Sequence, residues 1–238
     1  RMSEAPAPEP DFAELVAATN YSFLRGASHP ADMVAEAMAL GLNGIGIADR
    51  NSVAGVVRAL IGLRDLRAKA EADGVVLAPF KLVVGARLVF DDGTPDIVAY
   101  PTTRHGWGRL TRMLTIGNRR TEKGDCVMKF RNLLIHCEDM VLIALATGKD
   151  ECLLHRLAKA APGSLWLGAT MPRGGSDRRQ LARLRALAER IGIPMLATND
   201  ALYATRAERP LHDIVTCIRE GTTVHDAGRL LHANGERH

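Results

Sequence analysis

The chain has 238 residues, of which 47% are hydrophobic and only 4% aromatic, and its formal net charge is +4. A chain of this length can bury a substantial hydrophobic core without stabilisation by disulfides or metal ions. No apolar run approaches the length that a membrane-spanning helix needs. The four cysteines are too far apart for a local zinc knuckle or redox pair, and the small excess of positive charge does not by itself identify a polyanionic partner.

The beginning of the chain is rich in Pro, Ala and Glu and lacks the apolar stretch of a secretion signal. We therefore expect a flexible leader over residues 1–11, one folded domain over residues 12–238 and a cytoplasmic location. With so few aromatic residues, Ala, Leu, Ile and Val must fill the core, which suits helices that pack on hydrophobic strands.

Short apolar runs alternate along the chain with Ala- and Leu-rich stretches of helical period, which indicates repeated β-α units. The predicted strands cover residues 15–19, 43–48, 81–90, 95–100, 140–146, 164–170 and 193–198. The predicted helices cover residues 29–40, 53–72, 105–116, 151–161 and 177–191, and a helical pattern fills the sequence after residue 198. The Asp91-Asp92-Gly93 sequence predicts a hairpin turn, and Gly85 marks a bulge or a close backbone approach.

About seven strand-helix units predict a closed or nearly closed α/β barrel in preference to an open sheet. In such barrels the functional side chains lie where the strands end. Asp49 and Asp200 are the acids at the predicted strand ends, so they are the first candidates for a site.

Two segments, FAELVAATNYSFLRGASHPADMV and GLNGIGIADRNSVAGVVRAL, resemble the opening of the PHP (polymerase and histidinol phosphatase) domain of bacterial C-family DNA polymerases. KLVVGARLVF and HGWGRLTRMLTIGNRRTEKGDC follow in the order of that family, and TTVHDAGRLLHANGERH is similar to its error-prone, translesion branch. The resemblance implies a PHP-type distorted (β/α)7 barrel that forms the amino-terminal part of a longer polymerase of the alpha-subunit type.

The first metal-binding positions of the family are replaced in this sequence. The H-x-H of the first strand appears as Val16 and Ala18, with Glu14 upstream as a candidate remnant ligand, and the D-G of the next loop appears as Arg25-Gly26. Zinc and manganese sites need several convergent nitrogen and oxygen donors, so these replacements argue against a hydrolytic metal cluster.

Two of the later motifs keep an acid but lose its partner, and the one between them loses its acid. The D-H after the second strand is Asp49-Arg50, the G-x-E of the third strand ends in Arg87, and the closing D-x-H runs from Asp200 to Leu202. We therefore predict no catalytic residue and no metal or other cofactor in this chain, with Asp49 and Asp200 as remnants. Our hypothesis is that Arg50 and Arg87 pair with these two aspartates, so that ion pairs replace the metal ions.

Histidines outside the family pattern form no recognisable site. The carboxy-terminal histidines are His212, His225, His232 and His238. They lack a metal-ligand spacing, which predicts surface or helix-end positions. His136 and Cys137 are adjacent, and neighbouring side chains of a helix or strand diverge, which argues against a shared metal or a Cys-His nucleophile.

A basic stretch lies between residues 104 and 131, where eight Arg or Lys residues oppose two acids. Such a stretch can follow a phosphate backbone, and a solvated helix face is an equally good interpretation. The DNA-binding candidates are Arg104, Arg109, Arg112, Arg119, Arg120 and Lys123.

The resemblance implies a parent DNA-directed DNA polymerase that uses Mg²⁺ and template-primer DNA in damage-induced mutagenesis and translesion synthesis. Within that parent, this chain is expected to be structural and non-catalytic, with a sliding clamp and other translesion proteins as candidate partners and no membrane contact. One alternative is a residual metal-dependent phosphoesterase or 3'-5' exonuclease that uses Asp49 and Asp200. Another is a DNA- or partner-binding module that acts through the basic stretch.

Overall fold

The computed structural model of the chain describes residues 11–122 and 124–238. The first ten residues of the predicted leader and the DNA-binding candidate Lys123 lie outside these ranges. Within them, the strands are β1 (Ala13–Ala17), β2 (Gly44–Arg50), β3 (Lys81–Leu88), β4 (Ile97–Pro101), β5 (Met140–Ala144), β6 (Leu165–Ala169) and β7 (Met195–Ala197). The α-helices of the same ranges are α1 (Pro30–Ala39), α2 (Val56–Ala72), α3 (Arg104–Asn118), α4 (Phe130–His136), α5 (Glu151–Ala160), α6 (Asp177–Ile191) and α7 (Arg209–Glu220).

The strands form one sheet in the order in which they occur in the sequence. Neighbouring strands are parallel except that β4 runs antiparallel to both β3 and β5. The sheet curls into a half-barrel, and helices cover its outer face, so the predicted α/β barrel class and the predicted hairpin are confirmed. None of the helices in the described ranges is both long and apolar enough to cross a membrane.

Local sequence explains where the elements begin and end. All residues of β2 except Arg50 are buried, as expected for a parallel strand covered on both faces. Pro30 occupies the first turn of α1, where its missing N–H costs nothing, and Thr103 caps α3 by accepting a hydrogen bond from the Gly106 amide. Gly192, at φ 75°, ends α6 in the left-handed conformation.

Three parts of the chain differ from the sequence prediction. The strand β1 lies two residues earlier than predicted, and α4 was not predicted because seven residues carry too little periodicity. The helical prediction after residue 198 is right for α7. It is wrong for residues 221–238, here called the tail, whose one helical element is the short 3-10 turn Gly228–Leu230. Gly221, at φ 65°, ends α7, and the tail is held instead by contacts with the barrel.

Glu14 links β1 to the segment after β7. Its carboxylate accepts hydrogen bonds from the Thr198 hydroxyl and from the Asn199 amide, the latter at 2.6 Å. The Ala18 amide adds a bond of 2.9 Å to the Ala201 carbonyl. Side-chain and loop contacts therefore join β1 to the segment after β7, and β1 and β7 are the two strands at the edges of the sheet. Burial raises the pKa of Glu14, and these hydrogen bonds offset part of that rise.

Tyr100 fills the inner face of the curled sheet. Its hydroxyl donates a 2.8 Å hydrogen bond to the Leu15 carbonyl, and two glycines make room for its ring. A Cβ at Gly46 would lie 2.3 Å from the Tyr100 hydroxyl oxygen, and one at Gly85 would lie 2.2 Å from the Ala99 carbonyl oxygen. The close approach predicted at Gly85 is therefore present in the structure.

We predict that Gly46→Ala lowers the free energy of unfolding by about 1–3 kcal/mol, because the new methyl group overpacks the inner face. Gly108→Ala is the matched control, since Gly108 lies inside α3 with open space around its Cα. Alanine there should raise stability by up to about 1 kcal/mol through helix propensity. Urea unfolding monitored by circular dichroism measures both, and equal stability of Gly46→Ala and the unmodified chain would contradict the packing described here.

Candidate functional site

A cavity of about 250 Å³ lies at the carboxyl ends of the first strands, under α7 and the tail. The positions at which this sequence departs from the metal-binding pattern mostly line this cavity, together with Asp200, and those that do are Ala18, Arg25, Arg50, Arg87 and Leu202. The structure therefore brings most of the predicted constellation together in one place. Val16, the remaining replaced position, is buried on the inner face of the sheet.

Asp200 is held by two arginines. Arg87 binds Asp200 Oδ1 through Nη1 at 2.7 Å and Asp96 Oδ2 through Nε at 2.7 Å. Arg237 pairs with the other oxygen of Asp200 and donates from Nε to the Asp200 carbonyl at 2.9 Å. Burial alone would lower the pKa of Arg87, but the carboxylates of Asp200 and Asp96 outweigh it and raise that pKa. The part of the hypothesis that pairs Arg87 with Asp200 agrees with the structure.

Asp49 is bound by neutral donors. It accepts hydrogen bonds from the Thr19 amide at 2.7 Å, the Thr19 hydroxyl at 2.9 Å and the Ser22 hydroxyl at 2.7 Å. The predicted ion pair with Arg50 is wrong, because the Arg50 side chain is exposed and its amide binds the Ser22 hydroxyl instead. Burial raises the pKa of Asp49, and the hydrogen bonds from Ser22 and Thr19 limit the rise. Asp49 thus fixes the loop that follows β1.

The cavity carries more positive than negative charge. Its charged lining residues are Arg25, Arg50, Arg87, Arg219, Arg237, Asp96 and Asp200, which give a formal charge of +3 when the histidines are neutral. The side chains of Arg25 and Arg50 make no ion pair or hydrogen bond with any described residue. Burial first, and then the charges of Arg50 and Arg219, lower the pKa of Arg25.

One face of α7 forms a wall of the cavity, with His212, Thr216 and Arg219 at successive turns. His212 and Thr216 are each 3% exposed, so the predicted surface position of His212 is wrong. His212 Nδ1 and Thr216 Oγ1 have no hydrogen-bond partner among the residues that the structure describes. Sequence reasoning missed Arg219 and Arg237 as site residues, although the polar spacing on α7 is a signal that could have found the first.

Burial lowers the pKa of His212 to about 4, and the neighbouring charges of His232, Arg237 and Arg219 act in the same direction. The nearby Arg25 carbonyl opposes this only in part. The His232 ring lies 5.3 Å from the His212 ring, and burial lowers its pKa too. Both rings are therefore neutral at pH 7.

The side chains around the cavity do not fit a metal cluster. In the described ranges, no group of three or more His, Cys, Asp or Glu residues is arranged to hold a metal ion. The oxygens of Asp49 are taken by hydroxyl and amide donors, and those of Asp200 by guanidinium groups. Arg87 moreover places a cation next to Asp200, where a metal ion would need the carboxylate.

The basic stretch is split between structural and exposed side chains. Arg109 pairs with Glu138, and Arg120 Nη1 donates to Asn132 Oδ1 at 2.8 Å, so both hold the segment around α4 against α3. The remaining described candidates, Arg104, Arg112 and Arg119, are exposed, and Arg120 is exposed as well despite its hydrogen bond to Asn132. Exposed arginines thus lie along α3 and at its carboxyl end.

Comparisons with known proteins agree with the resemblance seen in the sequence. The chain is 46% identical over 230 residues to the error-prone DNA polymerase of Brucella abortus, a match that covers 94% of this chain and 21% of that protein. It is 48% identical over 233 residues to error-prone DNA polymerase 1 of Rhizobium meliloti, covering 95% of this chain and 20% of that protein. The chain thus spans about a fifth of the length of the curated relatives it matches. No family model matches it.

Among solved structures, a Bifidobacterium adolescentis protein provisionally described as a metal-dependent phosphoesterase superposes with a TM-score of 0.53 at 15% identity. The match covers 84% of this chain and 90% of that chain. At this identity the likeness shows a shared fold, and the predicted PHP-type fold is confirmed. The relatives confirm the predicted resemblance to error-prone DNA polymerases.

We predict that Asp49→Ala lowers the free energy of unfolding by about 2 kcal/mol or more, because it leaves buried amide and hydroxyl donors without an acceptor. Arg50→Gln, at an exposed neighbouring side chain, is the control and should change stability by less than about 0.5 kcal/mol. Urea unfolding is measured with EDTA and with added Zn²⁺ or Mn²⁺. A metal-dependent gain in stability that Asp49→Ala abolishes would contradict the hydrogen-bonding role.

A pH series tests the burial of His212. The unfolded chain protonates this ring near pH 6.5 and the folded chain only near pH 4, so stability should fall as the pH decreases through that window. Between pH 7 and pH 5 the loss due to His212 is about 2 kcal/mol, and His212→Gln should remove it. His155→Gln, on the exposed side of α5, should keep the full pH dependence. Identical pH slopes for the unmodified chain and His212→Gln would show that this ring titrates normally.

Proposed function

We propose that this chain is a PHP-type domain of an error-prone DNA polymerase, where it has a structural role and does not itself catalyse hydrolysis. The main support is that both carboxylate oxygens of Asp200 are paired with arginines, one with Arg87 and the other with Arg237. A hydrolytic site needs open carboxylates that can hold a metal ion and a water molecule. The relatives at 46% and 48% identity supply the polymerase context.

In this proposal DNA synthesis belongs to the parent polymerase. That parent would extend template-primer DNA with Mg²⁺ and deoxynucleoside triphosphates during translesion synthesis, and a sliding clamp and other translesion proteins would be its partners. The support is the similarity to error-prone DNA polymerases, of whose length this chain spans about a fifth. The cytoplasmic location remains a prediction.

The ion-pair network suits a structural role because it joins elements that are distant in sequence. Arg87 lies on β3, Asp96 precedes β4, Asp200 follows β7, and Arg237 belongs to the tail. Asn199 adds two hydrogen bonds of 2.7 Å from its side-chain amide to tail carbonyls. The mouth of the barrel and the tail are thus held as one unit.

The DNA-binding alternative is supported by the exposed arginines of α3 and its carboxyl end, Arg104, Arg112 and Arg119. Their guanidinium groups are available to phosphates, whereas Arg109 and Arg120 are engaged in packing. This alternative is compatible with the structural role, because the α3 surface and the cavity use different residues.

We expect Asp200→Asn to lower the free energy of unfolding by about 2 kcal/mol, since it leaves two partly buried guanidinium groups without their carboxylate. We also expect no cleavage of single-stranded DNA or of a chromogenic phosphodiester above blank with Mg²⁺, Mn²⁺ or Zn²⁺. Asp65→Asn, at an exposed carboxylate on α2, is the control for stability. Metal-stimulated cleavage that disappears in both Asp49→Ala and Asp200→Asn would overturn the proposal in favour of a residual phosphoesterase.

A further inference from the structure

Helix α7 presents its apolar side chains to solvent. Leu211, Ile214 and Ile218 recur at helical spacing and are 47%, 48% and 61% exposed, and the partly buried Val215 belongs to the same face. These four residues, here called the α7 stripe, form an apolar band about 100° wide around the helix, with no charged residue in it.

The side of α7 that packs on the barrel carries polar side chains instead. His212 and Thr216 are each 3% exposed, and one polar atom of each lacks a hydrogen-bond partner among the described residues. A helix on the surface of a globular domain normally buries its apolar face and exposes its polar face. In α7 this arrangement is reversed, so burial against the barrel does not account for the stripe.

Helix α2 provides a comparison within the same chain. It has exposed side chains at the spacing of the α7 stripe, and they are Val57, Leu60, Ile61 and Arg64. Arg64 stands where the stripe has Ile218, so a charge interrupts the apolar surface of α2. The inner face of α2 is apolar, with Ala59 and Leu63 buried. An uninterrupted apolar outer face above a polar inner face therefore distinguishes α7 from α2.

The size of the stripe selects among possible partners. It exposes roughly 300 Å² of apolar surface, whereas a stable interface between separate proteins buries about 800 Å² on each partner. A second copy of this chain would therefore associate only weakly through the stripe. A surface within the same polypeptide needs less area, because covalent linkage gives the two surfaces a high effective concentration.

We propose that the α7 stripe docks against an apolar, uncharged surface of the parent polymerase outside this domain. The inference rests on the proposed function, because the partner surface belongs to the polymerase of which this chain would be a domain. This chain spans about a fifth of the length of its curated relatives, so the parent has ample further protein to supply that surface. A charged partner surface would lose its hydration against the stripe without gaining a counter-ion.

Hydrogen exchange followed by mass spectrometry, in the full-length parent polymerase and in the 238-residue chain alone, tests the proposal. The amides of α7 should exchange at least about tenfold more slowly in the parent, because docking of the stripe opposes local opening of the helix. Ile214→Glu combined with Ile218→Glu should abolish this protection in the parent. The matched control is Val57→Glu combined with Ile61→Glu, which changes exposed residues of the same spacing on α2 and should leave the protection of α7 unchanged.

The comparison of the two substitution pairs within the parent decides the proposal even without the isolated chain. Equal effects of the two pairs on α7 exchange, or no protection of α7 in the parent relative to the isolated chain, would overturn it. Light scattering adds a further outcome, since dimerisation of the isolated chain that Ile214→Glu with Ile218→Glu abolishes would assign the stripe to a second copy instead. Failure of the proposed structural role would appear separately, as metal-stimulated DNA cleavage, which leaves the exchange of α7 unchanged.

Discussion

A buried carboxylate needs hydrogen-bond donors or cations beside it. This requirement determines the contacts around Glu14, Asp49 and Asp200. Three acids meet it in three ways. Glu14 takes hydroxyl and amide donors from the segment after β7, Asp49 takes them from Thr19 and Ser22, and Asp200 takes two guanidinium groups. Each solution connects segments that are far apart in sequence, so the acids hold β1, β2 and the segment after β7 together.

The choice between neutral donors and arginines has an electrostatic consequence. Neutral donors satisfy Asp49 without adding charge, and Arg87 and Arg237 are balanced by Asp200 and Asp96. The surplus positive charge of the cavity therefore comes from its other arginines, Arg25, Arg50 and Arg219. A planar guanidinium also cannot lose its proton in a protein, so the surplus persists at any physiological pH. The buried His212 ring responds to that surplus, because nearby arginines disfavour its protonated form. The replacement of metal-ligand residues by arginines at positions 25, 50 and 87 therefore contributes to a cavity of net positive formal charge.

Sequence reasoning predicted the barrel class, the hairpin and the convergence of strand ends, because hydrophobic periodicity and turn residues are local signals. It also predicted the partnership of Arg87 and Asp200, since both occupy strand-end positions. It could not predict Arg237 as the second partner, because a non-periodic tail gives no signal of where it folds back. It grouped Arg50 with Arg87 as partners of the two aspartates, whereas Thr19 and Ser22 satisfy Asp49. Successive residues of a strand point to opposite faces, so Arg50 does not share the direction of Asp49.

A metal-binding pattern that has lost ligands without compensation differs physically from one in which the remaining acids have gained new partners. If the ligands had only drifted, Asp49 and Asp200 would be left as buried charges without compensation, and their replacement by apolar residues would stabilise the fold. Here each acid has a full set of partners, and one of those partners, Arg87, lies where the sequence resemblance implies a metal ligand. Replacing either acid by an apolar residue would leave buried hydrogen-bond donors or guanidinium groups without an acceptor. The acids are therefore retained by the hydrogen bonds and ion pairs of the fold, which require no metal chemistry to explain them.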